Sequence, residues 1–220
     1  QELDNRIFGN IFHEAADIIY KRLPRHITKD VLQRQLKQKS DIERAVDEAL
    51  HHALPHAHMG GLQLINRQVI IHYLQQLLRI DLRLAPFTIL GLETDVQRPL
   101  TIQGAPPLAI GGRIDRLDLL RQGTPDACIR VVDYKTGGSR LKALASVDDI
   151  FNPQKIHDHS DYYLQTFAYA DIVRRQHAEP VVPALLFIQH AGADDYDPTL
   201  CFGREPIRDI ADHSARFNEL

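Results

Sequence analysis

Apolar residues recur at helical spacing through the first third of the chain. In the first segment they lie three or four residues apart, as one face of an amphipathic helix requires; they are Ile7, Ile11, Ala15 and Ile18. Thr28 is the predicted N-cap of a second helix, and acidic residues at the start of Asp41–Leu54 favour a third helix there. A Leu-rich run from Leu62 to Leu84, stopped by Pro86, predicts a long fourth helix. The pattern therefore predicts a helical region over about residues 1–85.

The pattern changes to that of strands at about residue 86. Thr88–Glu93 is β-rich, and Pro99–Gly104 is its predicted hairpin partner. Two further strands joined by a polar turn are predicted at Leu108–Leu120 and Ala127–Tyr134. The remaining predicted elements are a helix over about Ser160–Gln176, a buried strand at Val181–Gln189 and a short strand at Thr199–Gly203. A β-meander followed by a helix and a strand predicts a layered α/β domain, whose core spans about residues 86–205.

Composition narrows the class of protein. The 220 residues are 44% hydrophobic and 25% charged, as in ordinary globular proteins. The sequence has no apolar run of about 18 residues that would predict a membrane span, and its first residues lack the layout of a secretion signal. One of its two cysteines, Cys128, lies in an apolar run that favours a buried free thiol, which fits a reducing cytoplasm. Since the chain does not begin with Met, we expect a fragment of a longer protein, although a removed tag or a disordered leader would give the same start.

The segment Val131–Gly138 combines an apolar strand with two charged side chains at its end. Because alternate residues of a strand share a face, Asp133 and Lys135 point the same way and Tyr134 points the other way. Taken alone, an Asp-x-Lys pattern is most simply interpreted as an ion pair at the surface end of a strand.

A second carboxylate on the preceding strand favours a metal site instead. Asp115 lies in an otherwise apolar segment, and the turn between the two strands is short enough for antiparallel pairing that sets Asp115 beside Asp133. Neighbouring carboxylates repel each other unless a cation lies between them. A hard divalent cation suits oxygen ligands, and Mg²⁺ is the usual one where phosphates are substrates. Asp118 falls on the other face and is interpreted as structural or partner-facing.

Four segments, taken in order, resemble a known family. The strand segments Gly112–Asp118 and Val131–Gly137 look like the paired motifs of the PD-(D/E)XK nucleases, specifically the RecB/AddB-type domain at the C-terminus of bacterial helicase–nucleases. Phe8–His13 is similar to that family's N-terminal Gly-x-x-x-His helix, and Tyr163–Tyr169 to its later helix with Gln and Tyr one turn apart. The resemblance implies a single domain with a restriction-endonuclease-like core, in which helices flank a central mixed sheet, and with an N-terminal helical part.

The resemblance implies a metal centre with named ligands. Asp115 and Asp133 would bind the metal through their carboxylates, His13 through a ring nitrogen and Tyr134 through its backbone carbonyl. Glu93 ends a β-rich run where this superfamily often has an extra acid. Two interpretations of Glu93 stay open, a metal or outer-shell ligand and a surface charge.

Further residues are implied to act on the substrate. Lys135 would orient or deprotonate the attacking water and stabilise charge on the phosphate. Gln165 and Tyr169, which share a helix face, would contact the DNA backbone or steady Lys135. Basic residues near the motifs are candidate phosphate contacts; they are Arg113, Arg116, Arg140, Lys142 and Lys155. A stand-alone DNA-binding protein usually has an excess of basic residues, whereas the formal net charge here is −3. We therefore expect neighbouring domains or a local basic stripe to supply much of the affinity for DNA.

These expectations describe a metal-dependent deoxyribonuclease that acts as an exonuclease in DNA repair or recombination. Mg²⁺ is the expected cofactor and Mn²⁺ its substitute, while two cysteines exclude the four-cysteine iron–sulfur cluster of some relatives. Because the sequence contains no Walker lysine loop, a helicase or ATPase motor is expected elsewhere in the same or a partner chain. The expected partners are DNA and that motor, and no association with a membrane is expected. The expected location is the bacterial cytoplasm.

Two other functions remain open from the sequence. The first is a non-catalytic relative of the same fold that binds or scaffolds DNA, against which the complete Asp–Asp–Lys set argues. The second is a metal-dependent hydrolase of small phosphate esters, which the absence of a nucleotide-cradling Gly-rich loop makes the weaker hypothesis.

Overall fold

The computed structural model describes residues 4–55, 60–101, 104, 106–138 and 141–220. The chain divides into two units, and each draws on more than one segment. The first unit comprises Gln1–Thr88, Tyr134–Gly138 and Phe187–Tyr196. The second unit comprises Ile89–Asp133, Ser139–Leu186 and Asp197–Leu220.

Four helices make up most of the first unit. They are α1 (Asn5–Arg22), α2 (Lys29–Lys37), α3 (Lys39–Ala53) and α4 (Gly61–Leu84). Helix α1 packs on α3 and α4. Of its predicted apolar face, Ile11 and Ala15 are buried, whereas Ile7 and Ile18 are half-buried and Ile19 is buried in their place. The predicted N-cap is confirmed, since Thr28 accepts a hydrogen bond from the Val31 N–H at 3.2 Å.

Five strands form the central sheet in the order β1-β2-β3-β4-β5. They are β1 (His26–Ile27), β2 (Phe87–Leu100), β3 (Leu108–Leu120), β4 (Cys128–Lys135) and β5 (Val181–Phe187). Strands β1 and β2 pair antiparallel, as do β3 and β4, whereas a helical crossover joins β4 to β5. The predicted α/β fold, with a central mixed sheet flanked by helices, is confirmed.

The second unit packs helices beside its strands. Helix α5 (Ser160–Gln176) lies against β3, and α6 (Ala211–Glu219) contacts α5. The second unit also contains a two-stranded sheet, β6 (Cys201–Phe202) with β7 (Glu205–Pro206), and 3-10 helices at Val147–Phe151 and Pro153–Asp158; a further 3-10 helix, Ile188–His190, belongs to the first unit. Every residue of β4 from Cys128 to Tyr134 is buried, so this strand lies at the centre of the core. Among the described residues, no helix is both long enough and apolar enough to cross a membrane.

The predicted hairpin of Thr88–Glu93 with Pro99–Gly104 is wrong. Strand β2 continues through Pro99 to Leu100, and its neighbours in the sheet are β1 and β3. A proline is tolerated in a strand where its missing N–H is not needed by the ladder, so Pro99 does not mark a new strand. Residues 102 and 103 of the predicted partner lie outside the described residues.

Candidate functional site

Strands β3 and β4 bring two buried carboxylates to one position in the second unit. Their antiparallel register pairs Arg116 with Val132 and Leu117 with Val131. Continuing this register by one residue sets Asp115 opposite Asp133, as the sequence predicts. Each of the two aspartates is only 7% exposed. Two carboxylates set opposite each other in a buried setting repel, and a cation between them relieves that repulsion.

Glu93 lies near Asp115 and has an unusual backbone conformation. It has a φ of 45°, in the left-handed region that is uncommon for a residue with a side chain. Holding a non-glycine residue there costs about 1–3 kcal/mol and is a device that active sites use to aim a side chain. A carboxylate oxygen of Glu93 lies within 4.8 Å of one of Asp115. The oxygen-rich donor set of Glu93, Asp115 and Asp133 therefore suits a hard divalent cation.

Tyr134 and His13 meet in the first unit. The Tyr134 ring lies 5.9 Å from that of Phe12 and 5.8 Å from that of His13, measured between centroids. Both Phe12 and His13 belong to α1, which places the motif histidine beside the strand residue whose carbonyl is the implied ligand. Tyr134 is buried in this contact, so alternation directs Asp133 and Lys135 to the other face of β4.

The backbone beyond Lys135 is held by a residue that the sequence did not reveal. The Gln189 side chain donates a hydrogen bond from Nε2 to the Thr136 carbonyl at 3.0 Å. Gly9 of α1 approaches the same residue, since a Cβ at Gly9 would lie 3.3 Å from Thr136 Oγ1. Gln189 was predicted to lie at the end of the β5 strand, but it lies in the 3-10 helix Ile188–His190. No local signal marks it, because its partner is distant in sequence.

Helix α5 carries Gln165 and Tyr169 as a bonded pair. Gln165 Nε2 donates a hydrogen bond to the Tyr169 hydroxyl at 3.1 Å, across one turn of the helix. The Tyr169 hydroxyl lies against Gly112 of β3, where an added Cβ would come within 1.9 Å of it. Both side chains line a cavity of about 630 Å³ in the second unit, together with the apolar residues Phe151 and Leu164. On this wall Gln165 is half-buried, whereas Tyr169 is only 7% exposed.

Three of the five basic candidates are accessible. Arg113 pairs with Asp95 at 3.0 Å in an exposed contact. Lys142 and Lys155 lie 3.6 and 3.7 Å from the Asp158 carboxylate, with their side chains still partly or largely exposed. Arg140 lies outside the described residues.

The prediction that Arg116 contacts phosphate is wrong. Its side chain is 0% exposed and pairs with Asp118 at 2.8 Å. Asp118 lies opposite Arg130 in the β3–β4 ladder and also pairs with it at 2.9 Å. Burial makes the Arg116 guanidinium inaccessible to a DNA strand, so its function is structural. The structural interpretation of Asp118 agrees with these contacts.

A family model described as PD-(D/E)XK nuclease superfamily matches residues 1–217. No curated protein matches the chain. The matched range includes every motif residue that carries the resemblance.

Proposed function

Because the chain belongs to the PD-(D/E)XK nuclease superfamily, we propose that it is a Mg²⁺-dependent deoxyribonuclease of the RecB/AddB type. The ordered motifs from His13 to Tyr169 support the finer assignment. In this proposal the protein is an exonuclease of DNA repair or recombination. A helicase or ATPase motor in the same or a partner chain would deliver DNA to the nuclease site.

The observation that carries the proposal is the cluster of acids in the second unit. Glu93 and Asp115 approach within 4.8 Å, and the strand register sets Asp133 opposite Asp115. We assign Asp115, Asp133 and Glu93 as carboxylate ligands of the metal. From the sequence motifs alone, we add a ring nitrogen of His13 and the carbonyl of Tyr134. When bound, Mg²⁺ would neutralise phosphate charge and lower the pKa of a coordinated water, and Mn²⁺ would substitute for it.

Other side chains act directly on the substrate in this proposal. The Lys135 Nζ orients the attacking water and stabilises negative charge that develops on the phosphate. Gln165 presents its amide on the cavity wall, fixed by its bond to Tyr169, and contacts the DNA backbone. The remaining phosphate contacts are assigned to Arg113, Arg140, Lys142 and Lys155.

Cleavage of end-labelled linear and circular DNA with Mg²⁺, Mn²⁺ or EDTA tests the function. Loss of one preorganised electrostatic group typically costs about 10²–10³ in rate, so Lys135→Ala should cut at least about a hundredfold more slowly than wild type. Lys39→Ala, which removes an exposed lysine far from the motifs in sequence, is the matched control and should keep full activity. Cleavage of the linear but not of the circular DNA identifies an exonuclease.

Two outcomes would overturn the proposal. If Lys135→Ala and Asp133→Ala both retain wild-type activity, the nuclease centre is not at this motif. If the wild type binds DNA without any metal and cleaves none under any condition, the chain is a binding module instead.

A further inference from the structure

The backbone that follows Lys135 leaves the sheet. Strand β4 ends at Lys135, and residues 136–138 form a bend. A carbonyl that has left the ladder still needs a hydrogen-bond donor when water is not its partner. For Thr136 the donor is the Gln189 side-chain amide, at 3.0 Å.

Gln189 also touches the segment at a second point. A Cβ added at Gly138 would lie 3.1 Å from Gln189 Oε1, so the amide lies across both Thr136 and Gly138. The absence of a side chain at Gly138 is what allows this approach. Gln189 thus spans the first three residues after the predicted catalytic lysine.

The Gln189 amide is itself fixed by helix α4. The Tyr73 hydroxyl is hydrogen-bonded with Gln189, and burial raises the pKa of Tyr73 above its ordinary value of 10.0. The hydroxyl therefore stays neutral at physiological pH and can hold the amide there. The Tyr73 ring packs edge-on against Phe8 and Phe12 of α1, at centroid distances of 5.9 and 6.3 Å.

Helix α1 supports the same segment from its own side. Phe12 packs against Tyr134, the residue before Lys135, and Gly9 lies close to Thr136, the residue after it. Residues on both sides of Lys135 are thereby attached to α1 or, through Gln189, to α4. The lysine backbone has little freedom to shift while these contacts hold.

We propose that Gln189 is a positioning residue, which holds the backbone of residues 136–138 so that the Lys135 ammonium stays in its reactive place. The inference rests on the nuclease function proposed above. Gln189 is exposed, so its hydrogen bond contributes little to the folded state. Gln189 contributes to the reaction rate instead, because a displacement of about 1 Å at a reacting group lowers the rate by up to about a hundredfold.

Gln189→Glu tests the inference, since it keeps the size of the side chain and removes the Nε2 donor. The matched control is Gln33→Glu, the same exchange at an exposed position of α2. On linear DNA with Mg²⁺, we expect kcat of Gln189→Glu to fall about 10- to 100-fold, with KM within about twofold of the control. Tyr73→Phe should lower kcat in the same direction, and the double variant should lose less than the product of the two effects.

A second measurement does not depend on cleavage. Hydrogen exchange at the Gly137 and Gly138 amides should be faster in Gln189→Glu than in Gln33→Glu, while the urea midpoint stays the same. Unchanged kcat in Gln189→Glu overturns the inference, as does a raised KM with unchanged kcat, which would make Gln189 a substrate contact. Unchanged exchange overturns it even if the wild type proves inactive, in which case the nuclease proposal fails separately.

Discussion

At the scale of single residues, the absence of a side chain shapes the site as much as the charged groups do. Gly112 lies three residues before Asp115, and its bare Cα is what admits the Tyr169 hydroxyl. The nearest Tyr169 atoms to an added Cβ are the hydroxyl oxygen and Cζ, at 1.9 and 2.6 Å. A side chain there would push Tyr169, and with it the bonded Gln165, away from β3.

Gly112→Ala should therefore lower both stability and activity. Overpacking of a tight contact typically costs about 1–3 kcal/mol, and we expect a loss of unfolding free energy in that range. Urea denaturation measures it, with Gly61→Ala as the control, because a Cβ at Gly61 meets nothing within 4 Å. A Gly112→Ala variant as stable and as active as the control would show that Tyr169 can move without consequence.

At the scale of elements, the β3–β4 hairpin carries two different sets of charges. Asp115 and Asp133 lie towards the open end of the ladder, whereas Arg116, Asp118 and Arg130 form a buried cluster further along it. Asp118 pairs with both guanidinium groups, and its side chain is 0% exposed. A buried ion pair offsets the cost of its desolvation only in a defined geometry with its hydrogen bonds satisfied. The cluster therefore fixes the hairpin register on which the opposition of the two site aspartates depends.

Asp118→Ala should be strongly destabilising. Removing one partner of a buried ion pair typically costs about 3–5 kcal/mol, because the remaining charge is left uncompensated. Denaturant unfolding of Asp118→Ala is compared with that of Asp126→Ala, which removes an exposed aspartate in the β3–β4 turn. The difference between the two variants isolates the effect of burial. A loss below about 1 kcal/mol would show that Arg116 and Arg130 find other compensation.

At the scale of the whole molecule, the charge balance limits how the protein holds DNA. The chain has 26 Lys and Arg against 29 Asp and Glu. Several described cations are already engaged in ion pairs away from the motif strands, such as Arg22 with Glu48 and Arg67 with Asp47. Because acids outnumber basic residues and such pairs offset part of the positive charge, we expect the chain alone to bind DNA weakly.

The salt dependence of DNA binding tests this expectation. Each phosphate contact contributes about −0.9 to the slope of log Kobs against log salt for a duplex. Arg113, Lys142 and Lys155 predict a slope of about −3, and Arg140 would make it about −4. Fluorescence anisotropy with the Lys135→Ala variant in Mg²⁺ measures the slope. Lys142→Ala should reduce the magnitude of the slope by about 1, whereas Lys39→Ala should leave the slope unchanged. A slope steeper than about −6 would contradict the expectation and reveal a larger basic surface.

Local periodicity by itself determined the elements and the faces of the site strands. Helix α5 and strand β3 have the predicted bounds, since their apolar spacing is long and regular. Strand alternation and a short turn sufficed to set Asp115 beside Asp133. Strand β1 was missed because two residues give no periodicity, and α6 was missed because none of its residues is buried and its sequence carries no apolar stripe.

Only the tertiary structure decided which side chains meet at the site. Arg116 has the sequence context of a phosphate contact, yet the packing of the second unit buries it completely. Glu93 lies near Asp115 and has a positive φ, and no local sequence signal predicts either feature. Gln189 bonds to a carbonyl 53 residues away. Periodicity fixes the direction of a side chain from its own backbone, whereas its neighbours come from distant segments and depend on how the whole chain packs.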